Sequence, residues 1–431
     1  MPGAQEHRAV GEAALRWTLA QVRRDELGPW VPEHVPPDAD GPAPDRDCLY
    51  VGAAGLALLV AEAAQARPLD ADEAELAAAL RQRLEVSSLE SSEPSLFDGL
   101  AGFAGALRAL GSPDRTAVAR LAAAARADGW RTTLAGGGDV FHDVGLGTAG
   151  VVMAALGAGG EHSSAVVEAG CLALMAAAEE AEGGLRWRMT PGHDVDMPNF
   201  SHGTAGTAAA LALGGAAQGR PEWVAAAVAG AEHLLALADR SDGGFRLPMR
   251  IPYKEGYEQF TYSWCHGPTG TSYLFAALQR ADAPVGGTDA GVWRSRCIAS
   301  VLASGVPERR HPGFWDNDGL CCGTAGVGMM LLDAAQSADG TDEARRLLGA
   351  AAVMGDALLA RAVVDAEGAR WRFVEHRAEE PLLRPSPSWM QGSAGIAAFL
   401  LRLARVEAQG PDAVVVRRPD AWWAVPERLL A

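Results

Sequence analysis

Two kinds of helix-like segment alternate along the chain. One kind is apolar at nearly every position, as in LALLVAEAA after Gly55 and VGMMLLDAA after Gly326. The other kind carries Arg, Asp and Glu on one face, as in PEWVAAAVAGAEHLLALADR. A helix that is hydrophobic all round is buried, whereas an amphipathic helix keeps one face in water. The pattern therefore predicts pairs of helices, one inner and one outer.

A Gly-x-x-Gly unit opens the apolar segment of each pair. Successive units are 47, 48, 56, 64, 56 and 69 residues apart, which is typical of a repeat architecture. Their first glycines are Gly52, Gly99, Gly147, Gly203, Gly267, Gly323 and Gly392.

The repeats favour a closed ring over an open solenoid. A solenoid needs polar repeats at its two ends, and here the first and last repeats look like the middle ones. We therefore predict an all-α fold, an α/α toroid of seven inner and seven outer helices. Residues 1–431 would form this one domain, although a length of 431 residues by itself suggests about two to three. The C-terminal tail with Trp422 and Trp423 has no place in the repeat pattern.

Short extended segments recur in the loops between repeats. They alternate apolar and polar residues with period two, which predicts strands or hairpins lying over one end of the ring. These segments are GGLRWRMTP from Gly183, GGFRLPMRIP from Gly243 and GARWRFVEH from Gly368.

The residues just before each glycine unit occupy equivalent places at one end of the ring, called the rim below. A purely structural repeat would place similar apolar residues there, whereas three Cys, two His, one Asp and one Gln converge. The register therefore predicts a functional site at the rim. The residues immediately before the units are Val51, Asp98, Leu146, His202, His266, Cys322 and Gln391. Those two before are Tyr50, Phe97, Gly145, Ser201, Cys265, Cys321 and Met390.

The rim cysteines have the character of metal ligands. Cys265 and the adjacent pair Cys321–Cys322 come from neighbouring repeats at matching register. Thiolates select zinc, and three protein ligands with one open position are typical of a catalytic site. A structural site would need a fourth ligand, for which His202 and His266 are the candidates. We interpret the remaining cysteines as small buried hydrophobes, and we expect no disulfide framework; they are Cys48, Cys171 and Cys297.

Three further rim residues are candidates for proton transfer. His202 in FSHGTAG shares the register of the cysteines. Asp143 lies four residues before Gly147, where it could pair with a rim His or Arg and tune its pKa, or cap the inner helix. For His266 three roles stay open: metal ligand, acid–base group and plain rim polar residue.

Charge and hydropathy exclude two classes of partner. Lys and Arg total 37 against 54 Asp and Glu, giving a net charge of −17, which argues against binding a nucleic-acid backbone. The N-terminus MPGAQEHRAVGEAAL has no cationic region followed by an apolar one, so we predict no signal peptide. No uncharged apolar run reaches the roughly 18 residues that span a bilayer. We therefore expect a soluble, cytoplasmic protein that binds neither nucleic acid nor membrane.

The motifs SHGTAG, WCHG and CCG, with the repeated glycine units, resemble the lanthionine synthetase C (lanthipeptide cyclase) family from about Leu49 to Ala404. The resemblance implies an α/α toroid with one zinc ion and addition of peptide cysteine thiols to dehydroalanine or dehydrobutyrine, forming thioether rings. It also implies that Cys265 and Cys321 are zinc ligands and that His202 is the acid–base residue. Asp143 matches the Asp that the family places ahead of the glycine unit.

The chain departs from the family pattern at several places. The third ligand, commonly His, is here Cys322, as in the CCG subset of cyclases. The position after the first cysteine, Tyr in some members, is His266, and an Arg that some members place before the Trp has no clear match in YSW. No kinase-like or dehydratase portion is present. The resemblance thus implies a free-standing cyclase that acts on a dehydrated precursor peptide supplied by a separate dehydratase.

The residues suit this chemistry, and three alternatives stay open. Three thiolates around zinc leave excess negative charge, which favours transfer of a thiolate over activation of water. Attack of the thiolate on the β-carbon of a dehydrated residue leaves an enolate that needs a proton at its α-carbon. His202, with its pKa tuned by Asp143, is the natural general acid for this step. The alternatives are a transferase that adds a soluble thiol such as glutathione, an α/α-barrel zinc prenyltransferase, and a non-catalytic zinc-stabilised peptide-binding scaffold. The prenyltransferase would need a basic diphosphate pocket, and the rim positions carry no cluster of cations.

Overall fold

The computed structural model describes residues 2–36, 46–112, 116–133, 138–308, 317–374 and 382–431. Within these ranges each glycine unit starts an inner helix, as predicted. The inner helices are α2 (Ala53–Ala66), α4 (Leu100–Ala109), α6 (Thr148–Ala158), α8 (Thr204–Gln218), α10 (Pro268–Arg280), α12 (Thr324–Ser337) and α14 (Ser393–Gln409). The outer helices are α1 (Ala4–Ala20), α3 (Ala71–Glu90), α5 (Ala117–Ala124), α7 (Ser163–Ala176), α9 (Pro221–Leu237), α11 (Ala290–Ala303) and α13 (Thr341–Arg361).

The inner helices close a ring. Each contacts the next along the chain, and α14 contacts α2. Burial follows the sequence pattern: every residue of α12 from Thr324 to Gln336 is buried, whereas α3 buries one face only. The predicted α/α toroid with seven inner and seven outer helices is confirmed within the described residues.

The last repeat receives its outer helix from the other end of the chain. In the described residues after α14, 410–431, no outer helix follows; instead α1 packs along α14. At Gly11 an added Cβ would lie 3.2 Å from the Leu401 side chain, so the two helices approach closely. His7 of α1 lies between Glu407 of α14 and Asp356 of α13, at 2.8 and 3.1 Å. The N-terminal helix therefore completes the seventh pair.

Steric crowding explains why the last position of each Gly-x-x-Gly unit is glycine in every repeat of this chain. A Cβ on Gly206 would lie 2.1 Å from the carbonyl oxygen of Phe200, and one on Gly326 would lie 2.0 Å from that of Leu320. Real Cβ atoms do not approach so closely. The turn before each inner helix therefore folds tightly over the first helical turn, and this fold-back builds the rim.

Short antiparallel hairpins connect several repeats. They confirm the extended segments predicted after Gly183 and Gly368. The segment after Gly243 forms two isolated bridges instead, between Asp239 and Arg246 and between Asp196 and Ile251. The paired strands are β1 (Arg23–Asp25) with β2 (Gly28–Trp30), β3 (Glu179–Ala181) with β4 (Gly184–Arg186), β5 (Val363–Asp365) with β6 (Gly368–Arg370), and β7 (Arg372–Val374) with β8 (Leu382–Pro385).

The C-terminal tail fills the inside of the ring beyond the rim. A short 3-10 helix, Trp422–Ala424, is buried there. The indole nitrogen of Trp422 donates to the Met153 carbonyl and that of Trp423 to the Tyr273 carbonyl, each at 3.0 Å. The tail thus closes the end of the ring opposite the rim. In the part of the chain that the structure describes, no helix has the length and apolarity to cross a membrane.

Candidate functional site

Backbone hydrogen bonds join the rim residues of neighbouring repeats. The amide of Ser201 donates to the Cys265 carbonyl at 3.1 Å, and that of Cys265 to Cys321 at 3.3 Å. Cys321 donates in turn to Met390 at 2.9 Å, and Met390 to Tyr50 at 3.1 Å. Residues in matching register therefore lie side by side, and this places the rim cysteines together. The same pattern continues from Gly145 to Ser201 and from Tyr50 to Phe97.

Three cysteine sulfurs form a compact cluster at the rim, called the thiol cluster below. Cys322 Sγ lies 3.5 Å from Cys265 Sγ and 3.5 Å from Cys321 Sγ. All three sulfurs lie within 4.8 Å of one another, and all three residues are buried. Tetrahedral zinc with bonds of about 2.3 Å places its sulfur ligands roughly 3.8 Å apart. The thiol cluster therefore fits a zinc ion and could hold a metal.

The electrostatics of the thiol cluster favour one thiolate and disfavour a second and a third. The pKa of Cys265 is well below its ordinary value because the thiols of Cys321 and Cys322 hydrogen-bond to its sulfur. The pKa values of Cys321 and Cys322 are well above theirs, since each hydrogen-bonds to Cys265 and would add a second charge beside it in a buried place. Full deprotonation of the cluster therefore calls for a cation, which is how thiolate metal sites are stabilised.

The other cysteines have different surroundings. Cys171 and Cys297 are fully buried in the outer helices α7 and α11, and burial raises the pKa of Cys171 to about 12. Cys48 is buried near the rim, where its sulfur accepts from the Val51 amide at 3.2 Å. In the described residues, only the thiol cluster groups three potential metal ligands.

His202 and Asp143 form a hydrogen-bonded pair next to the thiol cluster. His202 Nδ1 donates to Asp143 Oδ2 at 2.7 Å, and Asp143 is fully buried while the His202 side chain is 30% exposed. Asp143 Oδ1 accepts from the Leu146 amide at 2.8 Å, and no side chain caps α6. Of the two roles considered for Asp143, the structure shows the pairing with a rim histidine.

Asp143 raises the pKa of His202. Burial alone would lower it, but the hydrogen bond and the negative charge of Asp143 outweigh burial. Because Asp143 occupies Nδ1, the other ring nitrogen, Nε2, is the atom that can exchange a proton with a bound molecule. His202 lines the cavity described below, so its imidazole can reach such a molecule.

His266 lies beside the thiol cluster without forming part of it. Its ring centroid is 5.6 Å from that of His202, and its amide donates to the Ser263 hydroxyl at 3.3 Å. The same hydroxyl lies 3.2 Å from Cys265 Sγ. The metal-ligand group found in the described residues does not include His266. His266 lines the cavity described below.

A cavity of about 690 Å³ opens above the thiol cluster. Its walls come from loops as well as from the rim. Three of these loop residues, Met189, Met249 and Phe373, each stand three residues after the first arginine of a recurring extended segment. Its other lining residues are Glu33, His34, Tyr50, Val51, His193, Val195, Met197, His202, Arg250, Tyr257, Cys265, His266, Cys321, Cys322, Ser386, Ser388 and Gln391. The volume is in the range of pockets that hold a ligand or a short segment of peptide.

Two residues that the sequence analysis placed on the rim, but not among the candidates, contact the thiol cluster. Gln391 Nε2 donates to the Tyr50 hydroxyl at 2.7 Å and lies 3.8 Å from Cys322 Sγ. Burial and the nearby Cys321 and Cys322 sulfurs raise the pKa of Tyr50 well above its ordinary value. Their rim register was the available signal, since Gln391 stands one residue and Tyr50 two residues before a glycine unit.

Comparison with known proteins agrees with this architecture. Among solved structures, nisin cyclase superposes with a TM-score of 0.57 at 13% identity, covering 89% of this chain and 93% of that chain. Unsaturated glucuronyl hydrolase from Bacillus sp. GL1 superposes with a TM-score of 0.50 at 14% identity, covering 97% and 98%. At such identities the likeness shows a shared fold, which by itself does not decide function.

Sequence comparison decides the family. No curated protein sequence matches the chain. The family model described as "Lanthionine synthetase C-like protein" matches residues 43–413 and so covers most of the sequence, including every helix of the inner ring. The chain belongs to the lanthionine synthetase C-like family.

Proposed function

We propose that this protein is a stand-alone lanthipeptide cyclase. It adds cysteine thiols of a dehydrated precursor peptide to dehydroalanine or dehydrobutyrine and so forms lanthionine and methyllanthionine rings. The observation that carries the proposal is that the thiol cluster and His202, which is hydrogen-bonded to the buried Asp143, line one cavity at the rim. Membership of the lanthionine synthetase C-like family and the likeness to nisin cyclase support a cyclase-type activity.

The thiol cluster is the proposed zinc site, with Cys265, Cys321 and Cys322 as ligands of one ion per chain. Bound zinc supplies stabilisation of a substrate thiolate at neutral pH, where a free thiol is only a few per cent ionised. The cavity above the cluster gives a peptide thiol access to it.

His202 moves the proton. The substrate sulfur bonds to the β-carbon of the dehydrated residue, and the electron pair of the C=C bond moves to the α-carbon as an enolate. His202 donates a proton to that α-carbon from Nε2, and the thiol's own proton balances the one consumed. Asp143 orients the ring through Nδ1 and favours its protonated form. Such positioned general acids contribute about 10²–10⁴-fold to a rate.

The proposed reaction requires a partner enzyme. The peptide must arrive dehydrated, so a separate dehydratase supplies the substrate.

We also propose that residues 1–431 form one domain, since α1 completes the last helix pair and the C-terminal tail fills the ring. For His266 we propose a role beside His202 as a polar wall of the cavity rather than as a ligand.

The test is incubation of the purified protein with a dehydrated peptide that contains cysteine, counting free thiols before and after. Cyclisation consumes thiols without a change in peptide mass, and His202→Asn should retain zinc and lose this activity. Loss of zinc in His202→Asn would make His202 a ligand, and a wild-type protein that binds zinc but leaves the thiols untouched would refute the cyclase.

Two further arms separate the alternatives. If glutathione is joined to a dehydrated peptide without cysteine while ring formation is absent, the protein is a thiol transferase. If zinc removal lowers the melting temperature and no chemistry is found with either thiol, the protein is a zinc-stabilised binding scaffold.

A further inference from the structure

A three-thiolate site carries more negative charge than its cation can offset. With zinc in place the formal charge is −1, and a substrate thiolate makes it −2. In a buried site this excess is costly unless hydrogen-bond donors face the sulfurs. Second-shell donors of this kind orient the ligands and set the electronic character of the metal.

The structure provides two such donors on one flank of the thiol cluster. Gln391 Nε2 lies 3.8 Å from Cys322 Sγ and, at 2.7 Å, donates to the Tyr50 hydroxyl oxygen. Because that oxygen accepts from Gln391, the Tyr50 O–H remains available as a donor, and it hydrogen-bonds to the Cys321 sulfur. A carboxamide N–H and a phenol O–H are thus aimed at the sulfurs.

The closure of the ring brings these donors to the site. Gln391 precedes the seventh glycine unit and Tyr50 the first, so 341 positions of sequence separate them. The rim hydrogen bonds from Cys321 to Met390 and from Met390 to Tyr50 place both segments beside the sixth repeat, which carries two of the cysteines. Tyr50 is steadied further by an edge-on contact with Phe97, at 5.7 Å between ring centroids.

We propose that Tyr50 and Gln391 are positioning residues that hold the sulfurs of the thiol cluster and offset their negative charge. They act through Cys321 and Cys322 rather than on the substrate. His202 comes from the fourth repeat, on one side of the repeats that carry the cysteines. Tyr50 and Gln391 come from the first and seventh repeats, on the other side. The proposal rests on the proposed function only in taking zinc as the metal that the cluster holds.

The test measures zinc binding and the spectrum of the cobalt-substituted protein in Tyr50→Phe and Gln391→Leu. Removing a second-shell partner typically lowers metal affinity by about 10–100-fold, which chelator competition resolves. Loss of a donor also makes the thiolates more electron-rich, so the sulfur-to-cobalt charge-transfer band should move to longer wavelength. Tyr262→Phe is the matched control, because its hydroxyl accepts from Arg246 at 3.3 Å, away from the cysteines.

The outcomes are separable. Zinc affinity and charge-transfer band unchanged from wild type in both variants would overturn the donor proposal, whatever the activity. A variant that melts earlier both with and without zinc, at unchanged affinity and spectrum, shows a merely structural role and also overturns it. A wild-type chain that binds zinc but forms no rings would refute the cyclase while leaving the affinity and spectral shifts to decide the donors. A wild-type chain that binds no zinc would overturn both.

Discussion

The two ends of the ring treat buried charge in opposite ways. At the closed end Asp333, which is 1% exposed, accepts from Arg402 and Arg418 at 2.7 Å each and from the Tyr273 hydroxyl at 2.8 Å. At the rim the sulfurs contact one another and the neutral groups of Ser263 and Gln391. The chain neutralises its own buried charge at the closed end, whereas at the rim it groups three thiols that could hold a metal ion.

This difference separates stability from function along one set of helices. The closed-end charges come from inner helices and the tail, and they bind the tail into the ring. The rim groups come from the turns before those helices and face a cavity. Substitutions at the closed end should therefore alter the free energy of unfolding, and substitutions at the rim should alter metal binding and chemistry.

The strongest test is Cys265→Ala. It removes one of three thiolates, so zinc binding and ring formation should both fall by at least about 100-fold, more than typical losses from second-shell changes. The matched change Cys297→Ala, in the outer helix α11, should keep zinc and activity and cost only about 1 kcal/mol of stability. Metal content, thiol counting and thermal melts measure the three quantities. Full zinc binding and activity in Cys265→Ala would contradict the assignment of the site.

The converse test is Asp333→Asn at the closed end. Breaking a buried ion pair by removing one partner typically costs about 3–5 kcal/mol, and here two arginines lose their carboxylate. Zinc affinity of the folded protein should stay within about twofold of wild type, since additivity holds between distant sites. Asp342→Asn, at a 93% exposed carboxylate, is the control and should unfold like wild type. A large loss of zinc affinity in folded Asp333→Asn would show that the two ends are coupled.

A smaller effect is expected from Asp143→Asn. The variant should keep zinc, and ring formation should fall by about 100-fold, the low end of general acid catalysis. Because Asp143 raises the pKa of His202, its loss lowers that pKa, so the decline of activity at alkaline pH should begin at a lower pH. Asp239→Asn, which breaks a loop contact to Arg246, should leave the pH–rate profile unchanged. An unshifted profile in Asp143→Asn would remove Asp143 from the proton-transfer step.

The sequence was informative where a repeat imposes equivalence. The glycine units gave the inner helices because each second glycine meets a carbonyl oxygen six residues earlier, as at Gly206 and Gly326. The same register placed Cys265 and Cys321 side by side, since neighbouring rims are joined through their backbones. The pairing of Asp143 with a rim histidine was one of two predicted alternatives, and the structure shows it.

Features that depend on closure or on loops could not be predicted from the sequence. No local feature of the α1 sequence indicates that this helix packs on α14, whose first residue lies 389 positions after the first residue of α1. The tail is placed by long-range indole and arginine contacts, which leave no periodic signal. Tyr50 and Gln391 meet only because the first and last repeats are neighbours, so their contact with the thiol cluster required coordinates.

The smallest expected effect concerns the closure by α1 and depends on pH. His7 is fully buried between Glu407 and Asp356; burial would lower its pKa, but the two carboxylates outweigh burial and raise it. A raised pKa means that the stabilisation is fully present below the unfolded value of about 6.5 and is lost as pH rises through the folded value. His7→Gln should therefore cost about 1.5–2 kcal/mol at pH 6, the lower part of the range for hydrogen bonds to charged groups, and less at pH 9. The exposed His162→Gln is the control, with denaturant unfolding at both pH values as the measurement. A loss of stability for His7→Gln that is equal at the two pH values would show that the shape of His7 rather than its charge stabilises the contact between α1 and α14.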